Sequence, residues 1–482
     1  MPSKADKTRE IRTVAFVSLG CPKNLVDSER MLGLLAQDGL VLTDDHESAD
    51  AIVINTCGFL EASKEESLRE IREAVALKEQ GKAKRVVVAG CLVQRQKTKL
   101  LNEAPGIDRL VGVFDREHIV EAVRGKDNPR QAHGHYLGKY HDLSRELSRQ
   151  RGGSPGVFED DRARLRLTPR HYAFLRMSEG CNQGCAFCTI PSIRGPMRSK
   201  PIEQILSEAS ELAADGAVEL NLIGQDTTSY GTDIGYTPGL AGLLSTLDRE
   251  LPPDVAWVRL MYAYPSCFTD EMIDAIAQAR RVVKYIDMPL QHINDRLLKL
   301  MKRRVTRAEI ETLLHKLRDR VPGIAIRTTF IAGSPTETEQ EHAELVRFIN
   351  DFRFEHVGVF AYSPEPGTPM GRMAGQHDDA TRRFRVEELM LAQQQVAFES
   401  NRRRIGQTAE VLIDRPAGRE LEDGYVARTS WQAPDIDSVT FVSSDQPLHP
   451  GQVLSVRFSD YQNYDLVAEV PRRVGRKLAV IR

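Results

Sequence analysis

The stretch GCNQGCAFC (residues 180–188) decides how the rest of this sequence is interpreted. Its cysteines, Cys181, Cys185 and Cys188, are separated by three residues and then by two. This spacing allows one short loop to wrap three sulfurs around a compact inorganic centre. Iron–sulfur clusters are bound by cysteine thiolates, ordinarily four of them. Three protein ligands on a four-iron cluster leave one iron open for a small chelating molecule, as a catalytic zinc site keeps one position open.

A Cys₃His zinc site is the alternative for the same thiols, and the nearest upstream histidine is His171. The cysteine spacing, with the aromatic Phe187 before the last cysteine, resembles the signature of the radical S-adenosylmethionine (SAM) superfamily. That resemblance implies a 4Fe-4S cluster that binds SAM at its open iron. Cys267 has no partner by spacing, so it is predicted to be a structural cysteine.

Composition limits the class of protein. The chain has 482 residues, 41% hydrophobic and 28% charged, so it can build about two to four domains with a large core. A net charge of −2 gives no overall basic character that would indicate a nucleic-acid partner. The sequence contains no apolar run of about 18 residues, so no membrane span is predicted. The polar first ten residues do not resemble a secretory signal. Seven cysteines in such a chain predict reduced thiols and a cytoplasmic protein.

Three further cysteines each follow a predicted buried strand: Cys21 after residues 13–20, Cys57 after residues 51–56 and Cys91 after residues 86–90. Helices are predicted between them, over residues 24–37 and 63–80. Alternating strands and helices predict a parallel sheet, and residues just past the ends of its strands gather in one crevice. The three thiols are therefore expected to converge as a second three-thiolate cluster. The alternative is three unrelated core cysteines.

The N-terminal motifs SLGCPKNLVDSE (18–29), NTCGF (55–59) and GCL (90–92) resemble the N-terminal domain of the methylthiotransferases. These are radical SAM enzymes with two 4Fe-4S clusters. The resemblance implies that Cys21, Cys57 and Cys91 hold the second cluster, which offers sulfur at its open iron. We predict this domain over residues 12–127 and an interdomain linker, rich in Arg, Asp, Gly and Ser, over residues 128–166.

Residues 167–404 are predicted to form the radical SAM core, a partial (β/α)6 barrel with six strands in alternation with helices. Polar groups and glycines follow several strands, and the superfamily resemblance implies SAM-binding roles for Gly224, Gln225, Gln291 and Gly333. The segment GSPTETE (333–339) departs from the family's usual GFPGETE, because Thr336 replaces a flexible glycine. That departure concerns the geometry of this loop.

Residues 407–475 are predicted to form a small β-barrel that resembles the TRAM domain, which commonly binds RNA. Between 407 and 470, eleven acidic residues stand against four arginines and no lysine. An acidic barrel repels a phosphate backbone and favours a basic protein surface, so direct RNA binding is not expected to dominate.

Two branches of the methylthiotransferase family compete as the closest resemblance. The tRNA branch, which modifies an adenosine, usually has Gln-Met-Asn after the first cysteine, whereas this sequence has Pro22-Lys23-Asn24. That segment and RTSWQAPDID (428–437) resemble the branch that modifies the β-carbon of an aspartate in ribosomal protein S twelve, with Asp435 in place of its usual glutamate.

The sequence therefore predicts this ribosomal protein as the substrate, with a sulfur donor and an electron donor as further partners. The resemblance implies cofactor-borne radical chemistry with no catalytic acid or base, because no side chain can break an unactivated C–H bond. Two alternatives remain at this stage. They are the tRNA-modifying activity and a non-catalytic zinc-binding factor associated with the ribosome.

Overall fold

A computed structural model describes residues 10–125, 134–140, 160–421 and 424–471. Within them lie two parallel sheets and a closed barrel, which confirms the predicted mixture of an N-terminal βαβ domain, a partial barrel and a small C-terminal β-barrel. Most of the predicted linker lies outside these residues, and its boundaries remain predictions. No helix in the described part of the chain is long and apolar enough to cross a membrane.

The N-terminal sheet has five parallel strands: β1 (Thr13–Ser18), β2 (Val41–Thr43), β3 (Ala51–Thr56), β4 (Arg85–Gly90) and β5 (Arg109–Val111). Their spatial order is β2-β1-β3-β4-β5, so the three strands that precede cysteines are neighbours. The helices are Pro22–Gln37, Glu61–Glu79, Cys91–Gln96, Leu100–Glu103 and Ile119–Arg124. The buried runs of Val, Ile and Ala in β3 and β4 are typical of strands covered on both faces.

The central domain contains β6 (Tyr172–Arg176), β7 (Ser178–Glu179), β8 (Arg198–Ser199), β9 (Glu219–Ile223), β10 (Trp257–Leu260), β11 (Val282–Asp287), β12 (Ala325–Ala332) and β13 (His356–Ala361). Six of them form an open parallel sheet in the order β13-β12-β11-β10-β9-β6, as predicted for a partial barrel, while β7 and β8 pair separately. The helices are Ile190–Arg194, Ile202–Ala214, Gly239–Glu250, Asp270–Gln278, Asp295–Leu300, Arg307–Arg320, Glu339–Phe352 and Asp379–Arg404. The largest hydrophobic core joins these helices to the strands.

The C-terminal barrel closes from five strands: β14 (Thr408–Pro416), β15 (Gly424–Thr429), β16 (Thr440–Ser443), β17 (Val453–Gln462) and β18 (Asp465–Glu469). Its core contains alternating residues of these strands, including Val411, Ile413, Val456 and Phe458. Closure pairs β14 with both β15 and β17, so the backbone groups of β14 are not left at an exposed edge.

The two smaller domains contact the central domain at opposite ends of its strands. The N-terminal domain meets the carboxyl ends, where Arg95 pairs with Glu365, in the segment after β13, at 2.8 Å. The C-terminal barrel meets the amino ends, where Arg428 pairs at 2.6 Å with Glu219, the first residue of β9. The central strands therefore present their carboxyl ends, where parallel barrels place their chemistry, to the cysteine-bearing domain.

Candidate metal and substrate site

The loop that carries Cys181, Cys185 and Cys188 follows β6 and β7 at the carboxyl end of the sheet. Each of its sulfurs faces a hydrogen-bond donor. The backbone N–H of Gln183 lies 3.4 Å from Cys181 Sγ, and the backbone N–H of Ile190 lies 3.4 Å from Cys188 Sγ.

The third sulfur receives a side-chain donor, since Arg303 Nη1 lies 3.6 Å from Cys185 Sγ. The Tyr264 hydroxyl lies 3.9 Å from the same sulfur. Hydrogen bonds to the sulfurs are among the features that set the potential of an iron–sulfur cluster. The donors around this loop fit three cluster-bound thiolates.

Burial makes these thiols poor acids by themselves. Burial is the main reason why the pKa of Cys181 is raised to about 11 and that of Cys188 to about 12, and neighbouring thiols contribute to both values. A coordinated metal deprotonates a thiol outright. Buried thiols of raised pKa therefore fit a site in which metal, rather than solvent, stabilises the thiolates.

The second set of thiols occupies the ends of three adjacent strands. Thr56 pairs with Gly90 in the parallel ladder, so Cys57 and Cys91 each come one residue after paired positions. Gly20, next to Cys21, approaches Cys57 so closely that a Cβ there would lie 2.8 Å from the Cys57 Cβ. Burial raises the pKa of Cys91 to about 12, and the charges of Cys21 and Cys57 add to that effect. The three thiols thus come together as strand topology predicts.

In the described part of the chain, no three Cys, His, Asp or Glu side chains are arranged to hold a single metal ion. In a four-iron cluster the thiolates bind different irons, which is a different arrangement from three ligands on one ion. The assignment of the six cysteines to clusters therefore rests on the strand ends, the donors to sulfur and the burial described above.

Arg194 connects the two sets of thiols. It ends the short helix Ile190–Arg194 that begins two residues after Cys188, and its Nη2 lies 3.1 Å from Cys91 Sγ. Its other terminal nitrogen pairs with Asp27 at 2.7 Å and with Glu179 at 3.1 Å. The loop of one set therefore reaches the sulfur of the other through a single buried guanidinium.

Arg194 belongs to a buried ionic network that joins the N-terminal and central domains. Asp27 also pairs with Arg116 at 2.7 Å and Arg176 at 2.8 Å. Burial raises the pKa of the Asp27 carboxyl, but the charges of Arg194, Arg176 and Arg116 outweigh it and bring the pKa to about 2. The network therefore stays ionised at neutral pH and fixes the helix Pro22–Gln37 against β6.

The predicted SAM contacts lie at the carboxyl end of the central sheet. Gly224 directly follows β9, and a Cβ there would lie 2.4 Å from Ser178 Oγ. The side-chain nitrogen of Gln225 donates to Glu179, while its buried Oε1 has no hydrogen-bond partner in the described residues. The backbone of Gln291 bridges to β12 with a φ of 74°. Among the predicted residues, Gln225 offers a free acceptor to a ligand.

Two positions of the loop after β12 are explained by packing. A Cβ at Gly333, whose φ is 73°, would lie 2.7 Å from Arg382 Cγ, so the glycine permits close approach of the helix Asp379–Arg404. Thr336, which replaces the family's usual glycine, has a φ of 63°. β-Branched residues rarely adopt this conformation. The Thr336 hydroxyl accepts a hydrogen bond from Arg296 at 3.1 Å, which offsets part of the strain.

Two residues between the cysteine sets were not singled out from the sequence. The Lys23 ammonium lies 3.2 Å from the centroid of the Tyr262 ring. Lys23 is 7% exposed, and Tyr262 lies two residues beyond β10. The sequence signal for Lys23 is that it replaces the methionine usual at this position in the tRNA branch.

Some acidic residues of the C-terminal barrel are engaged in contacts with the central domain. Asp414 pairs with His171 at 2.8 Å, Asp435 accepts a hydrogen bond from the Tyr172 hydroxyl at 3.1 Å, and Asp437 accepts one from the Tyr285 hydroxyl at 2.9 Å. Arg428 faces inward as well. Without these four residues, eight acidic residues and three arginines remain between 407 and 470, so the acidic excess is smaller but keeps its sign.

Comparison with family models divides the chain in the same order. Residues 13–112 match the model described as Uncharacterized protein family UPF0004, residues 175–349 match the Radical SAM superfamily, and residues 405–470 match the TRAM domain.

Curated relatives resemble the chain along nearly its whole length. A protein of Anaeromyxobacter sp. (strain Fw109-5) named ribosomal protein uS12 methylthiotransferase RimO is 42% identical, covering 96% of this chain and 94% of the relative. A protein of the same name from Geobacter sulfurreducens is 40% identical, covering 95% and 98%.

Among solved structures, the radical SAM methyltransferase TsrM of Kitasatospora setae has a similar fold. The TM-score is 0.54 at 17% identity, with 75% of this chain and 77% of that chain covered.

Proposed function

This chain belongs to the RimO family of ribosomal protein uS12 methylthiotransferases, and we propose that it adds a methylthio group to the β-carbon of an aspartate in uS12. We further propose that it does so with SAM and two 4Fe-4S clusters. The observation that carries this proposal is the pair of three-thiol sets joined by Arg194 at the carboxyl end of the central sheet.

Within this proposal, Cys181, Cys185 and Cys188 hold the cluster that binds SAM. When bound, these groups supply the one-electron chemistry that activates a C–H bond, which no protein side chain provides. The residues of the chain bind and orient them. Donors from Gln183, Ile190 and Arg303 face the three sulfurs, and a charged donor shortens and strengthens such hydrogen bonds.

Cys21, Cys57 and Cys91 would hold the second cluster, which would supply the sulfur. Arg194 donates to Cys91 and is fixed in turn by the two buried carboxylates of Asp27 and Glu179. This arrangement holds the sulfur-bearing set against the loop of the first set. A substrate carbon placed between the sets would be within reach of both, which insertion of sulfur into a C–H bond requires.

Incubation of the anaerobically reconstituted protein with SAM, a reductant, sulfide and purified uS12 tests the proposal. Mass spectrometry should show the gain of one methylthio group on an aspartate of uS12. A parallel reaction with tRNA tests the other branch of the family, and a gain on tRNA instead would contradict the proposal.

Eight acidic residues against three arginines on the rest of the C-terminal barrel favour a basic protein over a nucleic acid. A zinc-binding factor without catalysis is tested by the same preparation. Such a protein would contain zinc in place of iron and would produce no 5′-deoxyadenosine from SAM.

A further inference from the structure

Lys23 is a buried cation without a carboxylate partner. It lies in the first turn of the helix Pro22–Gln37 and is 7% exposed. No ion pair joins it to an acidic residue of the described chain. Its contact is the face of the Tyr262 ring, 3.2 Å from the ammonium nitrogen. Burying an ammonium group is unfavourable unless an opposite charge compensates it.

Glu179, the carboxylate of the central domain whose charge acts on Lys23, is already engaged. Glu179 accepts hydrogen bonds from Arg176 at 2.6 Å and from Arg194 at 3.1 Å. Gln225 also donates to it. A cation–π contact with one tyrosine offsets only part of the cost of burying the charge. Cys21 and Glu179 also act on Lys23 electrostatically, but no carboxylate of the described residues forms a direct ion pair with its ammonium.

Tyr262, whose ring contacts this cation, has a strained backbone conformation. Its φ is 59°, in the left-handed region that an aromatic residue rarely adopts. The conformation is fixed by neighbouring strands, since its N–H donates to Asp287 at 3.2 Å and its carbonyl accepts from Thr227 at 3.2 Å. Strain of this kind persists where the surroundings determine it and often lies at functional sites.

The pair lies next to Cys21 and at the carboxyl end of the central sheet. Lys23 is two residues from Cys21 in sequence. Tyr262 follows β10 at the carboxyl end of the central sheet, the same end that carries the loop with Cys181. A substrate carbon that reacts with both centres must occupy this region. A lysine here also replaces the methionine that is usual in the tRNA-modifying branch, whose substrate base carries no carboxylate.

We propose that Lys23, positioned by Tyr262, binds the side-chain carboxylate of the substrate aspartate and selects aspartate over uncharged residues. This inference rests on the proposed function and adds to it the residue that recognises the substrate group. The carboxylate supplies the direct ion-pair partner that no described residue provides to this ammonium. Its binding orients the adjacent β-carbon between the two centres.

The test measures binding of fluorescently labelled uS12 to the reconstituted protein by anisotropy. It compares native uS12 with uS12 in which the target aspartate is replaced by asparagine. The unaltered enzyme should bind native uS12 at least about tenfold more tightly, because a buried charged hydrogen bond is lost with asparagine. Lys23→Met should remove this preference by weakening the binding of native uS12, and Lys23→Arg should retain part of it.

Lys82→Met is the matched control, since Lys82 is a half-exposed lysine of the same domain that pairs with Glu47. Iron content and cleavage of SAM without uS12 show whether the variants are correctly assembled. Equal binding of the two forms of uS12 by the unaltered enzyme would overturn the inference without any variant. Unchanged preference in an assembled Lys23→Met protein would overturn it as well. Failure of the unaltered enzyme to bind or methylthiolate uS12 would instead overturn the proposed function.

Discussion

Arg194 contacts Cys91 directly, with its Nη2 3.1 Å from the sulfur, although 103 residues separate the two in sequence. The arginine comes from the segment after Cys181, Cys185 and Cys188, and Cys91 directly follows β4 of the other domain. The contact shows that the side chain of Arg194 borders both predicted metal centres. It also places the charge of that side chain beside a sulfur of the N-terminal set.

Replacing Arg194 by methionine should lower the free energy of unfolding by about 3–5 kcal/mol. The substitution leaves Asp27 and Glu179 buried with less positive charge, and an uncompensated buried carboxylate is strongly destabilising. Chemical denaturation followed by circular dichroism measures the change. Arg249→Met is the control, because that arginine forms an exposed pair with Glu250 and should change stability by less than about 1 kcal/mol. Equal effects of the two substitutions would contradict the ionic network as a source of stability.

Cysteine substitutions should separate the two centres by their products. Cys185→Ala removes a ligand of the SAM-binding cluster and should abolish formation of 5′-deoxyadenosine. Cys57→Ala should preserve that product but prevent methylthiolation of uS12. Chromatography of the nucleoside and mass spectrometry of uS12 read the two steps in one reaction. Intact methylthiolation by the Cys57→Ala protein would rule out the two-cluster scheme.

Thr336→Gly should be more stable than Thr336→Ala by about 1 kcal/mol. Both substitutions remove the hydroxyl that accepts from Arg296, so the comparison isolates the backbone. Alanine keeps a Cβ at a φ of 63°, whereas glycine adopts this conformation freely. Thermal unfolding of the two variants in parallel provides the measurement. A more stable alanine variant would show that this backbone conformation carries no strain.

Because of His292, the free energy of unfolding should decrease as the pH falls from about 6.5 to 4. Burial lowers the pKa of His292 from its ordinary 6.5 to about 4, even though three glutamates raise it. Between these values the unfolded chain binds a proton that the folded protein does not, so stability is full above pH 6.5 and decreases below it. The groups facing the ring are Glu337, Glu341, Glu344 and His342.

Denaturation at a series of pH values should show a flatter profile for His292→Gln over this window. The largest difference from the unaltered protein is expected to be about 3 kcal/mol near pH 4. The carboxyls of Asp27 and Glu341 have pKa values near 2, so their contribution is lost mainly below the window. Parallel profiles for the two proteins would show that His292 does not titrate as described.

The positions of the six cysteines could be predicted because strand order and loop spacing are local properties of the sequence. Strands that alternate with helices place their carboxyl ends together, so Cys21, Cys57 and Cys91 were expected at one edge. Arg194 was not predicted, since nothing near Cys91 in the sequence indicates a partner from another domain. Lys23 was equally hidden, because lysine is ordinarily exposed and its burial depends on Tyr262.

The C-terminal barrel shows a second limit of sequence patterns. Its strand β15 is hard to recognise from the sequence alone. The interior of β15 contains Arg428, which is buried because it pairs with Glu219 of the central domain. A charged residue at a buried position breaks the alternation that identifies a strand. The acidic excess of the barrel is smaller than counting residues suggested, because Asp414, Asp435 and Asp437 are engaged by the central domain.

The attachment of this barrel limits how far the enzyme can be rebuilt by exchanging domains. Asp414, Asp435 and Asp437 meet His171, Tyr172 and Tyr285 on the central domain, and Arg428 meets Glu219. A barrel grafted from a tRNA-modifying relative without these groups would leave the buried Glu219 with only one of its two arginine partners, Arg259, and would leave the hydroxyls of Tyr172 and Tyr285 without these acceptors. A chimaera would therefore have to transfer both sides of the contact. The contacts that attach the barrel are thus divided between two domains, and the last domain is not a portable module.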